Sequence, residues 1–362
     1  MRISLWMMGA LGGGAAIGIV AINLGPVDAG STPPPFFAAP PPTFNVARVS
    51  SPLTTGTGAP TVVAPSTPPR TFAIDVFAFA PWGDAIESLG HTRPSEGSSD
   101  GPMAIAVDDA QDVFVLDQVN ARIVERDSAG FVIRTIPLGS HSAQDLAVDP
   151  RGGVVVLDRL VDRSVRFLGL DGVERARVAL EGQGIAEGGA ATGVFAMRDG
   201  VWIEVEHRAL VRVALPSGDV DPLRPTIDGR RTDAGLLLRA ARDPSGGALV
   251  SGTPENPAVN GFYVRVPFCE PVLQLLALDG DRGGTTFVAA HLLRDESTEP
   301  FSILAEAIDV VALGNDGGEL GRFSLPPPEG PEETRRPIAV ASNGDVFHMH
   351  FGDAGVTIRR AR

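Results

Sequence analysis

Residues 105–123 read IAVDDAQDVFVLDQVNARI. Two short apolar runs rich in Val, Ile and Phe flank a polar turn, and a third run opens at Asn120-Ala121-Arg122-Ile123. Short β-branched and aromatic runs bounded by turn residues predict strands. The phrase returns at 146–165 as LAVDPRGGVVVLDRLVDRSV, where Val107-Asp108, Leu116-Asp117 and Arg122 meet their counterparts 41 residues on without a gap. It returns again at 338–356 as IAVASNGDVFHMHFGDAGV, with Ile-Ala-Val and Asp-Val-Phe 233 residues beyond their first occurrence.

A period in the forties built from short strands predicts an all-β ring of blades, each burying its faces against its neighbours, which is a β-propeller. The turns agree. Asp149-Pro150-Arg151-Gly152-Gly153 recurs as Asp243-Pro244-Ser245-Gly246-Gly247, with Asp, Pro and Gly at the places a type I turn prefers. A second turn type, Ser128-Ala129-Gly130, Asp171-Gly172, Ser217-Gly218, Asp279-Gly280 and Asp316-Gly317, is expected to open the outermost strand of five blades. The last copy ends at Arg362 without such a turn, so its outer strand must come from elsewhere or leave a bare edge. The strand-like segment TFAIDVFAFAPW at 71–82 fills that gap, giving six blades closed by the joined ends of the chain. Residues 253–335 follow the repeat least and leave five or seven blades as alternatives.

Ahead of the ring, Ile3 to Leu24 contain no charge, Arg2 precedes them, and small residues surround a possible cut before Gly30. Residues 1–29 therefore read as a signal peptide, or as an uncleaved anchor, since 22 uncharged residues also span a bilayer. Either form places the bulk of the chain outside the cytoplasm: periplasmic, membrane-anchored facing outward, or secreted. Residues 30–70 read as a disordered Pro-rich linker, with eleven prolines between 33 and 69. Residues 71–362 are the propeller.

All 30 basic residues are arginine. Residues 1–70 hold three arginines against one aspartate, so of the chain's net −14 the part beyond residue 70 carries −16. A body that acidic repels phosphate backbones and excludes nucleic acid as an expected partner. Cys269 is the single cysteine, which rules out an internal disulfide and reads as a small buried apolar residue.

With its Asp117, Asn120, Arg122 and Ile123, the first repeat resembles the NHL repeats, a family of six-bladed propellers whose blades carry Asp at the end of the second strand followed by Asn-x-Arg-Ile. The second repeat keeps Asp158 and Arg163 but has Val161 and Ser164 at the Asn and Ile positions. The resemblance is close over about 70 residues and covers about 220 more in outline. It implies that Asp117, Asn120, Arg122, Asp158, Arg163 and His350 lie toward one rim, where they either bind a ligand or tie strands together through charge-assisted hydrogen bonds. It also brings an alternative function, since related rings include lactonases and lyases dependent on Ca²⁺ or Zn²⁺ at the channel mouth. Their ligand set of Glu, Asn and Asp from separate blades is not evident in this sequence, where Glu204 and Glu206 alternate with Val205 as a solvated face does.

Two further constellations remain. His348 and His350 stand two apart on an expected strand, so both imidazoles project to one face, with Asp353 nearby. They join the candidate ligand-binding set, without a third located metal ligand. GSSDG at 97–101 matches a nucleophile-elbow spacing but lacks the strand-to-helix context that makes such a serine reactive. The acidic stretches 295–300 and 326–333 read as exposed loops. No catalytic residue and no cofactor is assigned. The expected function is that of a binding or scaffolding module for a protein or an extracellular polymer, with a metal-dependent hydrolase or lyase as the alternative.

Overall fold

The runs Val113–Asp117 and Val154–Asp158 are buried at every position, as are their partners along Ser164–Leu168 and, past the half-buried Arg122, Ile123–Arg126. Strands in the middle of a blade lie between two neighbouring blades, so both faces need apolar side chains and the sequence shows solid runs rather than alternation. Outer strands such as Glu174–Ala179 have solvent on one side and expose most of their positions. The computed structural model describes residues 61–62, 70–256, 260–296, 302–330 and 332–362. Among them, the one helical segment is a three-residue turn at Gly188–Ala190.

Six antiparallel sheets radiate around an axis. Blade 1 comprises Ala104–Val107, Val113–Asp117, Arg122–Arg126 and Val132–Pro137, from the axis outward. Blade 2 repeats this with Asp145–Val148, Val154–Asp158, Ser164–Leu168 and Glu174–Ala179, and blade 3 with Ala191–Met197, Gly200–Val205, Ala209–Ala214 and Thr226–Asp228. Blade 5 comprises Val272–Gly280, Thr286–Asp295, Ile303–Leu313 and Glu319–Leu325. In blade 6 the chain's last three strands, Ile338–Val340, Val346–Gly352 and Gly355–Ala361, receive Ile74–Pro81 as their outer member. The expected closure is present: Ile74 pairs with Ala361 and Pro81 with Gly355, antiparallel throughout.

Blade 4 departs from the pattern. From the axis outward it comprises Leu236–Arg242, Ala248–Pro254 and Phe262–Val266, with the short Arg230–Arg231 paired beside its axial strand and Thr61–Val62 added as a parallel strand at the outer edge. The Asp243–Gly247 turn joins the axial strand of its blade to the next, as the matching Asp149–Gly153 turn does in blade 2. Asp279-Gly280 also differs from expectation. It ends the axial strand of blade 5 instead of opening an outer strand, while the other four turns of its kind stand where the sequence placed them.

Five apolar cores fill the seams between blades 6 and 1, 1 and 2, 2 and 3, 4 and 5, and 5 and 6. The seam between blades 3 and 4 is built differently among the described residues. Trp202 is buried there with the guanidiniums of Arg212 and Arg231 over its ring at 5.6 and 5.0 Å. Ion pairs cross it from blade 4 to blade 3: Arg230 to Glu204 at 2.7 Å, Arg231 to Asp199 at 2.9 Å and Arg239 to Asp228 at 3.0 Å.

Two local expectations are corrected. Cys269 is exposed, in the connection between blades 4 and 5, because it falls in a loop and not in a strand. Glu332, inside a stretch read as exposed loop, is buried: Glu332–Glu333 pair with Ser99–Asp100, and its carboxylate accepts from His91 and Arg93. No helix among the described residues is long and apolar enough to cross a membrane, and the expected leader at 1–29 lies outside them.

Candidate site at the central channel

The axial strands of the six blades surround a cavity of about 320 Å³ whose walls mix small apolar side chains with charged ones. At its centre Arg336, in the lead-in to blade 6, reaches across to blades 2 and 3. Its Nη2 donates to Asp145 Oδ2 at 2.6 Å and to the Val194 carbonyl at 3.0 Å, and its Nη1 donates to the Leu146 carbonyl at 3.1 Å. Gly193 makes this approach possible, since a Cβ there would stand 3.3 Å from the guanidinium. Asp145, 1% exposed, also accepts the N–H groups of Leu146 and Val194. Burial pushes its pKa above the ordinary carboxylate range, while Arg336 and the two N–H groups pull the other way.

Arg230 forms the matching pair from blade 4. Its guanidinium donates to Glu204 Oε1 and to the Leu278 carbonyl of blade 5. Phe195 lies between the two arginines, with Arg230 at 4.8 Å and Arg336 at 5.0 Å from its ring centroid, a double cation–π contact. Asp279, at the end of the axial strand of blade 5, accepts the N–H of Gly280. Burial raises its pKa against the pull of Arg230 and Arg336.

At one mouth the charged groups of several blades meet around the first residues of blade 3. Glu204 is buried, and its Oε2 accepts from Thr192 Oγ1 at 2.9 Å and from His207 Nδ1 at 3.1 Å. Burial works to raise its pKa, but Arg230 and the bond from His207 outweigh it and hold the carboxyl well below the usual range. Glu206 and His207, with φ of +51° and +54°, are the central residues of the turn that Arg208 N–H closes on the Val205 carbonyl, between Gly200–Val205 and Ala209–Ala214. That type I′ geometry favours Asn-Gly, and each side-chain-bearing residue there costs about 1–2 kcal/mol. The strained turn is pinned by Glu206 N–H on the Ala190 carbonyl and by His207 N–H on Thr192 Oγ1, so the imidazole is held at the mouth. Arg335 Nη2 and Arg159 Nη1 both reach the Ala191 carbonyl, at 3.2 and 3.4 Å, and Arg159 also donates to Gly189.

The residues singled out from the sequence stand elsewhere, in three separate groups. Asp117 accepts from Gly90 N–H, Asn120 Nδ2 and Arg122 Nε. Asn120 and Arg122 in turn donate to the carbonyls of Gly83, Asp84, Ala85 and Ser88. This set clamps the segment that follows the closing strand. Asp158 accepts from Ser142 and from the N–H groups of Val161 and Asp162, while Arg163 points outward to Glu181 at 3.1 Å. His348 and His350 are buried on the face of blade 6 turned toward blade 5, their ring centroids 6.3 Å apart. Asp353 is exposed on the following turn, and no group of three His, Cys, Asp or Glu gathers for a metal among the described residues.

The sequence reading missed Asp145, Arg159, Phe195, Arg230, Asp279, Arg335 and Arg336, and took Glu204 as solvated. Asp145 alone carried a signal, as the residue opening the second repeat's first strand.

No family model and no curated protein sequence matches the chain. Among solved structures it is similar to the Kuenenia stuttgartiensis hydrazine synthase, at 12% identity over 72% of this chain and 79% of that one, with a TM-score of 0.45. It is similar to a streptogramin B lyase at 10% identity over 80% and 97% of the two chains (TM-score 0.40), and to a putative gluconolactonase at 17% over 81% and 93% (TM-score 0.41). The likeness is one of fold. The chain is a six-bladed β-propeller with a charged central channel.

Proposed function

We propose that this chain is an exported or membrane-tethered binding module, whose partner, a protein or an extracellular polymer, inserts a group into the mouth of the central channel. One observation carries the reading: side chains from the lead-ins or strands of four blades, Arg159, Glu204, His207, Arg230 and Arg335, meet at that mouth, aimed by a strained turn. Polar groups converging on a concave site from separate elements are the usual mark of ligand recognition. The uncharged run at 3–24 behind Arg2 supports export or tethering, the Pro-rich stretch supports a spacer, and the likeness of 105–130 to NHL repeats supports a module that works by binding.

The test uses the full chain, immobilised and presented with envelope and medium extracts, beside an Ala196→Trp variant that fills the channel wall. Retention of a defined component by the wild type and its loss in the variant are expected. Retention that survives the filled channel contradicts the reading. Stoichiometric Ca²⁺ or Zn²⁺ together with chelator-sensitive turnover of a lactone panel replaces it with the hydrolase alternative.

A further inference from the structure

We propose that Arg159 and Arg335 recognise a carboxylate on a hydroxyl-bearing ligand, an acidic sugar of the uronate type, and that His207 hydrogen-bonds one of its hydroxyls; this rests on the channel-mouth reading above. Two channel arginines are compensated: Arg230 is paired with Glu204 and Arg336 with Asp145, both at short distance. Arg159 and Arg335 are not. Both converge on the Ala191 carbonyl, and neither has a carboxylate within ion-pair distance among the described residues.

A guanidinium does not shed its proton, so two of them side by side and partly desolvated carry a standing cost in repulsion and lost hydration. Burial followed by the charge of Arg159 acts on Arg335, and burial acts on Arg159, whose Nε is shut from solvent without an acceptor. A planar oxyanion relieves that cost, because the guanidinium fork matches it with paired donors. A single negative charge fits better than two. Asp145 and Glu204 already act on Arg335, and the part of the chain beyond residue 70 carries −16, a field that penalises a dianion more than a monoanion.

The hydroxyl follows from His207. Glu204 is an ionised acceptor, so Nδ1 of His207 is the donor between them and Nε2 is left for a ligand. The imidazole is 66% exposed, so that nitrogen is open to a hydroxyl, which can accept or donate. The cavity of about 320 Å³ is at the lower end of the range for small-molecule sites and suits a sugar unit.

The experiment is calorimetric titration of the full chain with D-glucuronate, glucose and inorganic phosphate at one ionic strength. Glucuronate is expected to bind, with glucose and phosphate each about ten-fold weaker or more. Arg335→Gln and Arg159→Gln should each weaken glucuronate by about ten-fold while leaving the melting temperature equal or higher, since each removes an uncompensated charge. Binding of phosphate in preference to glucuronate, binding of neither, or glucuronate binding untouched by both substitutions overturns the proposal. Loss of glucuronate binding with partner retention still sensitive to Ala196→Trp overturns this inference alone and leaves the channel-mouth reading standing.

Discussion

His348 shows how one buried imidazole sets a pH dependence. It is 2% exposed, and burial, then His350 and Arg359, depress its pKa from 6.5 to about 3. The unfolded chain takes up this proton near 6.5 while the folded chain refuses it until about 3, so the unfolded state binds more protons throughout that window. Stability therefore falls as pH drops through it, by about 1.4 kcal/mol per unit. Between pH 7.5 and 5.0 the wild type is expected to lose about 2 kcal/mol through this residue, and His348→Gln, which does not titrate, to lose correspondingly less. Urea midpoints at the two pH values measure this. The same slope in both proteins contradicts it. The pair of histidines was legible from the sequence as two imidazoles on one face, but which face was not, since alternation along a strand buried on both sides gives no inside or outside.

Closure of the ring depends on one strand and the clamp behind it. Ile74–Pro81 has no antiparallel partner nearer in sequence than the C-terminal strand, so the segment after it must be held for the pairing to last. Asp117 does this, fully buried, through Gly90 N–H, Asn120 and Arg122, and Arg122 carries the grip to Ala85 and Ser88. Asp117→Ala strands a guanidinium and several donors, and is expected to cost about 3–5 kcal/mol, with Asp117→Asn costing less. Hydrogen exchange should quicken first in 74–90. An unchanged unfolding midpoint, or exchange quickening elsewhere first, contradicts the clamp. The Asp-x-x-Asn-x-Arg phrase and the strand at 71–82 were both legible because their chemistry is local. The flanks of blade 4 were not: Asp243–Gly247 copies the Asp149–Gly153 turn in sequence and in place, but the two-residue strands Arg230–Arg231 and Thr61–Val62 on either side of the blade are too short to leave a pattern. Blade 5, with strands of nine, ten and eleven residues, hid its repeat by length.

Across the whole molecule, the repeats disclosed the ring but not its channel. Arg335 and Arg336 lie in a lead-in that the repeat does not mark, and their partners Asp145 and Ala191 are more than 140 residues away. Only closure of six blades brings such residues together, so no local pattern announces them. The same closure leaves one seam unlike the rest. Five seams are apolar, whereas blades 3 and 4 meet through Arg230 and Glu204, Arg231 and Asp199, and Arg239 and Asp228, around Trp202. Apolar burial strengthens or holds as salt rises, while the partly exposed pairs of Arg231 with Asp199 and Arg239 with Asp228 are screened as the Debye length shrinks from about 10 Å at 0.1 M to about 3 Å at 1 M. Raising NaCl over that range is therefore expected to speed hydrogen exchange in Ala209–Ala214 and Leu236–Arg242 relative to the strands of blades 1 and 2. Arg231→Ala, which removes the link to Asp199 and the cover over Trp202, should produce the same local opening at low salt. Exchange that slows or stays uniform around the ring in high salt would show that Trp202 and its packing, rather than charge, hold blades 3 and 4 together.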